Sequence, residues 1–127
     1  MQSETKKKAQ MNANERKSLF KEIRETLSGE LSDYDFEFGF GELTADFGDM
    51  FREIELSDGR SANVDFKAEG YRSIDRGDYY TPPSESGEIT VYIKHVDVYN
   101  VEGEEIEQFD FPYPEYYEKK NTIAIKF

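Results

Sequence analysis

The chain has 127 residues, a formal net charge of -12, 36% hydrophobic and 15% aromatic residues, which fits one average domain and argues against a second. It has no cysteine and a single histidine, which excludes disulfides, thiolate metal sites, iron-sulfur clusters, a cysteine nucleophile and any multi-histidine metal cluster. No apolar run approaches the ~18 residues of a membrane span, and the glycines form neither a dinucleotide nor a P-loop fingerprint.

Residues 1–11 are polar and lysine-rich without apolar periodicity, so they are expected to form a flexible lead-in to a single domain over 12–127. No apolar secretory segment is read there, and a cytoplasmic location is expected. Asn12 followed by Glu15 is a variant capping box, and Leu19, Phe20, Ile23 and Leu27 then fall on one face of a helix. Ser28-Gly29 reads as the stop, with Gly29 at the left-handed position after the helix, so the spacing predicts a helix over 13–28. Beyond it the period becomes two. Tyr34, Phe36, Phe38 and Phe40 alternate with Asp33, Asp35, Glu37 and Gly39, which predicts a strand whose aromatic face meets the helix. The carboxylates at 33, 35 and 37 do not make a calcium loop, because an EF-hand needs Gly at its sixth position and an acid at its twelfth, where Phe38 and Thr44 stand.

The next ribbon permits a register argument. Ile54, Leu56, Ala62, Val64, Phe66 and Ala68 are all even-numbered, and directly opposed residues share a face. Paired numbers must therefore sum to an even value. A three-residue turn Ser57-Asp58-Gly59 satisfies this, opposing Ile54 to Ala62 and Arg52 to Val64 with Gly59 at positive φ. A second ribbon switches phase on both strands: Ile89, Val91 and Ile93 are odd and Val96 and Val98 even, while Ile106 is even and Phe109 and Phe111 odd. A turn at Val101-Glu102-Gly103 opposes Val98 to Ile106, Ile93 to Phe111 and His95 to Phe109. The joint switch predicts a strongly twisted ribbon burying opposite faces at its two ends. Pro112 and Pro114 end this ladder, 115–120 reads as one helical turn, and Ile123, Ile125 and Phe127 alternate as a closing strand.

Charge divides the chain. Residues 1–29 balance at +3 and the remainder at -15, so the body repels nucleic acid and attracts basic surfaces. The segment 73–88 reads as a long loop, and long loops are often functional. Its Pro82-Pro83 pair would hold an extended segment, and adjacent tyrosines offer rigid contact area. Asp75, Asp78, Tyr79, Tyr80 and Glu85 are the candidate partner-binding residues. Within it, Arg76-Gly77-Asp78 spells the integrin-binding tripeptide, which nothing else in the sequence supports. His95, with Asp97 on the same face, is weighed as a general base, but no second base or nucleophile is fixed beside it. A cation site from Asp75, Asp78, Glu85 and Glu88 has suitable oxygen ligands but no recognised spacing.

The stretch Gly77-Asp78-Tyr79-Tyr80-Thr81-Pro82-Pro83, leading through Gly87-Glu88-Ile89 to Val98-Tyr99, resembles a segment of small uncharacterised proteins encoded by phages and mobile elements of gut anaerobic bacteria. The resemblance implies a small intracellular accessory protein and transfers no catalytic residue.

These readings combine into an α+β domain, with an N-terminal helix packed on a twisted, mainly antiparallel sheet of five or six strands. The expected function is non-enzymatic protein binding by a monomer or weak dimer, with a basic protein partner, no direct nucleic acid or membrane binding, no cofactor and no metal. The alternatives are a nucleic-acid-mimicking inhibitor of a DNA-binding protein, which needs carboxylates in a continuous ribbon, and a divalent-cation-dependent hydrolase, which needs several acids converging in one pocket.

Overall fold

The computed structural model describes residues 12–111 and 121–127. The lead-in at 1–11, the prolines at 112 and 114 and the helical turn at 115–120 lie outside the described residues. Helix α1 (Ala13–Ser32) is followed by strands β1 (Thr44–Glu55), β2 (Ser61–Asp75), β3 (Ser84–Tyr99), β4 (Glu105–Asp110) and β5 (Thr122–Lys126).

The capping box forms at the start of α1: the Asn12 backbone N–H donates to Glu15 Oε1 at 3.0 Å, and Asn12 Oδ1 accepts from the Glu15 N–H at 2.8 Å. Leu19, Phe20, Ile23 and Leu27 are buried as their spacing predicts. The helix does not stop at Ser28. It runs through Gly29 to Ser32, because Leu31, four residues after Leu27, continues the apolar face and is fully buried. Burying a leucine contributes about 1.5–3 kcal/mol, more than the ~1 kcal/mol that glycine costs inside a helix.

The sheet is antiparallel and is not closed into a barrel: β1 pairs with β2 and β2 with β3, while β4 and β5 both pair with β3. They divide one edge of that strand, β4 taking its 95–99 half and β5 its 88–92 half. The helix lies on one face, where Ala62, Val64, Phe66, Ile89, Val91, Ile93, Val96 and Val98 form the core. Phe20 meets the rings of Phe109 and Phe111 at 5.0 and 5.4 Å. One helix on one face of an antiparallel sheet is the α+β arrangement expected. The β1–β2 turn follows the parity argument, with Ile54 opposite Ala62, Arg52 opposite Val64 and Gly59 at φ 89°.

Two other expectations are overturned. Residues 34–40 are not a strand. Phe36 and Phe38 are half-buried, with Phe47 of β1 at 5.1 and 5.6 Å, while Phe40 is fully exposed. The alternation places two rings on the sheet, but the segment pairs with no described strand. The β3–β4 ribbon does not bury opposite faces at its two ends. Asp65 pairs with His95 and Phe66 with Ile93, so Lys94 is an extra residue in β3 that turns the odd phase into the even one while keeping one face buried. A second irregularity leaves Ile106 without an opposite residue, since Val98 pairs with Glu107 and Tyr99 with Glu105. His95 therefore stands opposite Asp110 rather than Phe109.

Candidate functional site

The long loop expected over 73–88 is mostly strand. β2 continues to Asp75 and β3 begins at Ser84, with cross-strand pairs from Arg72 and Gly87 out to Asp75 and Ser84, so the connecting loop is only 76–83. β1 pairs as far as Tyr71, with one further hydrogen bond from the Arg72 N–H to the Leu43 carbonyl, and β5 ends where Phe127 and Gly87 exchange two backbone hydrogen bonds. Beyond that level the β2–β3 hairpin has no described strand on either side. It is an arm that leaves the body of the sheet.

The arm's tip is fixed by its own carboxylates. Asp75 Oδ1 accepts from the Gly77 N–H at 2.9 Å, and Asp78 Oδ1 accepts from the Tyr80 and Thr81 N–H groups at 2.8 Å each. These backbone bonds, that of Tyr80 first, hold the Asp78 carboxyl below the usual carboxylate range. Gly77 has φ 73°, and a Cβ there would run into the Thr81 carbonyl, so the turn requires glycine. With Asp78 spent on capping its own loop, the Arg76-Gly77-Asp78 tripeptide does not present an unengaged carboxylate.

The two tyrosines are the exposed part. Tyr79 is 92% and Tyr80 89% accessible, and their rings meet edge to face at 5.0 Å. Of the five sequence-predicted site residues, Asp75, Asp78, Tyr79 and Tyr80 are thus brought to one tip. Glu85 is not among them: it pairs across the arm with Ile74 and bonds Arg72 Nη1 at 2.7 Å. Sequence reasoning missed the apolar side chains at the arm's base, where Leu43, Tyr71, Ile74 and Phe127 are all exposed by about half. No sequence signal marks them, since the polar residues flanking Ile74 and those at 84–87 read as loop and hide that Ile74 lies on a two-stranded ribbon.

A second cluster lies on the helix-free face. His95 Nε2 is 2.9 Å from Asp97 Oδ1 and Nδ1 is 3.2 Å from Asp110 Oδ1. Beside them Lys94 Nζ reaches Asp49 Oδ1 at 2.8 Å. Asp49, Asp65, Lys94, His95 and Asp110 line a shallow hollow of about 280 Å³. Among the described residues, the side chains bonded to His95 are the carboxylates of Asp97 and Asp110, so the general-base reading gains no nucleophile there. Among the described residues, no three His, Cys, Asp or Glu side chains are grouped to hold a metal ion, and Glu85 and Glu88 stand away from Asp75 and Asp78 on β3.

No protein-family model, curated protein or solved structure matches this chain. No helix among the described residues is long and apolar enough to cross a membrane.

Proposed function

We propose that this chain is a non-enzymatic binding protein whose contact surface is the tip of the β2–β3 arm, with Tyr79 and Tyr80 as its anchors. The observation that carries the reading is the exposure of these two rings on a backbone fixed by Asp75 and Asp78. Large aromatic surface left in water stabilises nothing in the free protein, and two rings in edge-to-face contact on a fixed turn lose little conformational entropy when a partner covers them.

The partner is a basic protein, because the chain beyond residue 29 balances at -15. Phosphate mimicry is the weaker reading: Lys67, Lys94 and His95 interrupt the carboxylates of the helix-free face, so the acids there do not run as an unbroken ribbon. The cysteine-free composition supports a cytoplasmic setting.

Affinity capture from the native host tests this, comparing the parent with a Tyr79→Ala, Tyr80→Ala variant. At least one Lys- and Arg-rich protein is retained by the parent, weakened by added salt and lost from the variant. Identical capture profiles from two equally folded proteins would overturn the proposal.

A further inference from the structure

The geometry at His95 points to a proton-operated latch: the protonated imidazole ties the end of β4 to β3, and loss of its proton releases that tie. The reading is independent of the arm. Both ring nitrogens lie against carboxylate oxygens, Nε2 against Asp97 at 2.9 Å and Nδ1 against Asp110 at 3.2 Å. An ionised carboxylate only accepts hydrogen bonds, and a neutral imidazole has one N–H to donate. The neutral ring would therefore aim a lone pair at one of the two acids. Only the imidazolium donates to both.

The remaining groups favour the same form. From β2, Asp65 pairs with His95 across the strands. On β3 itself stand Asp97, Tyr99 and the preceding Lys94, and the ammonium of Lys94 is drawn to Asp49 of β1. From β4 comes Asp110. Lys67 lies further along the same face, near the Tyr92 ring. The helix packs on the opposite face. Among the described residues, Asp65, Asp97 and Asp110 thus surround His95, while the neighbouring Lys94 is paired with Asp49. Burial works to lower the imidazole pKa, but the hydrogen bonds to Asp97 and Asp110, with their charges, outweigh it and hold it above the ordinary 6.5.

The latch sits at a mechanical corner. Asp110 is the last residue of β4, and immediately beyond it the Phe111 N–H donates to the Lys94 carbonyl while the Ile93 N–H donates to Asn121, so the edge of β3 passes there from β4 to β5. Phe111 and Phe109 carry that corner into the core against Phe20. Because the folded-state pKa is raised, the stabilisation is complete below about 6.5 and is lost as pH rises through the folded value.

His95 is the chain's single histidine, so a ¹H–¹⁵N NMR titration of imidazole signals reads it alone. The expected midpoint lies above 6.5, with both ring nitrogens protonated below it, and Asp97→Asn with Asp110→Asn moves the midpoint down. In thermal scans the parent loses more melting temperature between about pH 6 and pH 9 than a His95→Gln variant does. A parent midpoint at or below 6.5, or one that the double Asn variant leaves in place, overturns the latch. Should His95→Gln fail to fold, the titration still decides.

Discussion

The guanidinium of Arg72 lies over the ring of Phe38, 4.8 Å from its centre, and this contact fastens the irregular 33–43 segment to the base of the arm. The same group donates from Nε to the Glu42 carbonyl at 2.7 Å, from Nη2 to the Gly39 carbonyl at 3.1 Å and from Nη1 to Glu85 at 2.7 Å. A planar fork can serve a ring and three acceptors at once, and an ammonium cannot. Arg72→Ala is expected to cost about 1–3 kcal/mol, a fall of several degrees in Tm, and Arg72→Lys to recover only part of it. A Tm unchanged in Arg72→Ala would show that the segment is held by its aromatic contacts alone.

The exposure of Tyr79 and Tyr80 sets their removal apart from that of a core ring. Phe66, 1% exposed in the centre of β2, should cost on the order of 3–5 kcal/mol as Phe66→Ala, through lost burial and the cavity left behind. The double Tyr79→Ala, Tyr80→Ala variant should melt within a few degrees of the parent, since the two rings rest mainly on each other. Equal losses in the two proteins would mean that the tip packs on the body, and the binding surface would have to be sought elsewhere.

The fixed tip has its own signature. Asp78 organises the turn through the Tyr80 and Thr81 N–H groups, and these bonds lower its pKa. With the pKa depressed in the folded chain, the ordering is present above the ordinary carboxylate range and is lost as pH falls through the lowered value. Asp78→Ala is expected to speed amide exchange at Tyr80 and Thr81 at neutral pH while leaving Tm nearly unchanged. Asp78→Asn keeps a side-chain acceptor and should retain most of the protection. Unaltered exchange in the alanine variant would remove Asp78 from this role.

What could be read from sequence was short-range. The parity of Ile54, Ala62 and Val64 and the glycine at 59 state the same hairpin twice, in packing and in turn chemistry, and the Asn12–Glu15 cap is equally local. The end of α1 depends on whether Leu31 finds the sheet, which is a tertiary matter. At 34–40 the alternation of rings is real, but a strand also needs a neighbour to share its hydrogen bonds. The phase switch in β3 was visible, yet a shared twist and a bulge explain it equally well from sequence. The expected register holds at the turn, where Tyr99 pairs with Glu105, but the unpaired Ile106 shifts it by one residue beyond that point and brings Asp110 rather than Phe109 opposite His95, and no sequence signal marks that irregularity. In the arm, Tyr79 and Tyr80 were legible as candidates because turn and proline signals surround them. The ribbon beneath them was not, since Ser73 to Asp75 and Ser84 to Gly87 lack the apolar alternation that marks a half-buried strand.

The bulge at Lys94 yields the most discriminating prediction about the fold. A regular pleat would carry Ile93 inward, Lys94 outward, His95 inward and Val96 outward, and the extra residue is what returns Val96 and Val98 to the core side. Deleting Lys94 should therefore preserve both sets of buried side chains and all β2–β3 pairs, Asp65 remaining opposite His95 and Phe66 opposite Ile93 in an uninterrupted ladder. The losses are the ion pair with Asp49 and the acceptor for the Phe111 N–H, of which a buried unsatisfied donor is worth about 1–3 kcal/mol. Deleting Asp65, an equally outward residue of β2, has no bulge in its own strand to absorb it: either Ala62 and Val64 or Phe66 and Ala68 must turn to the solvent face. Circular dichroism melts should show a cooperative transition for the Lys94 deletion and none for the Asp65 deletion. If both deletions abolish cooperative melting, the bulge is an indispensable corner of the sheet rather than a correction of phase.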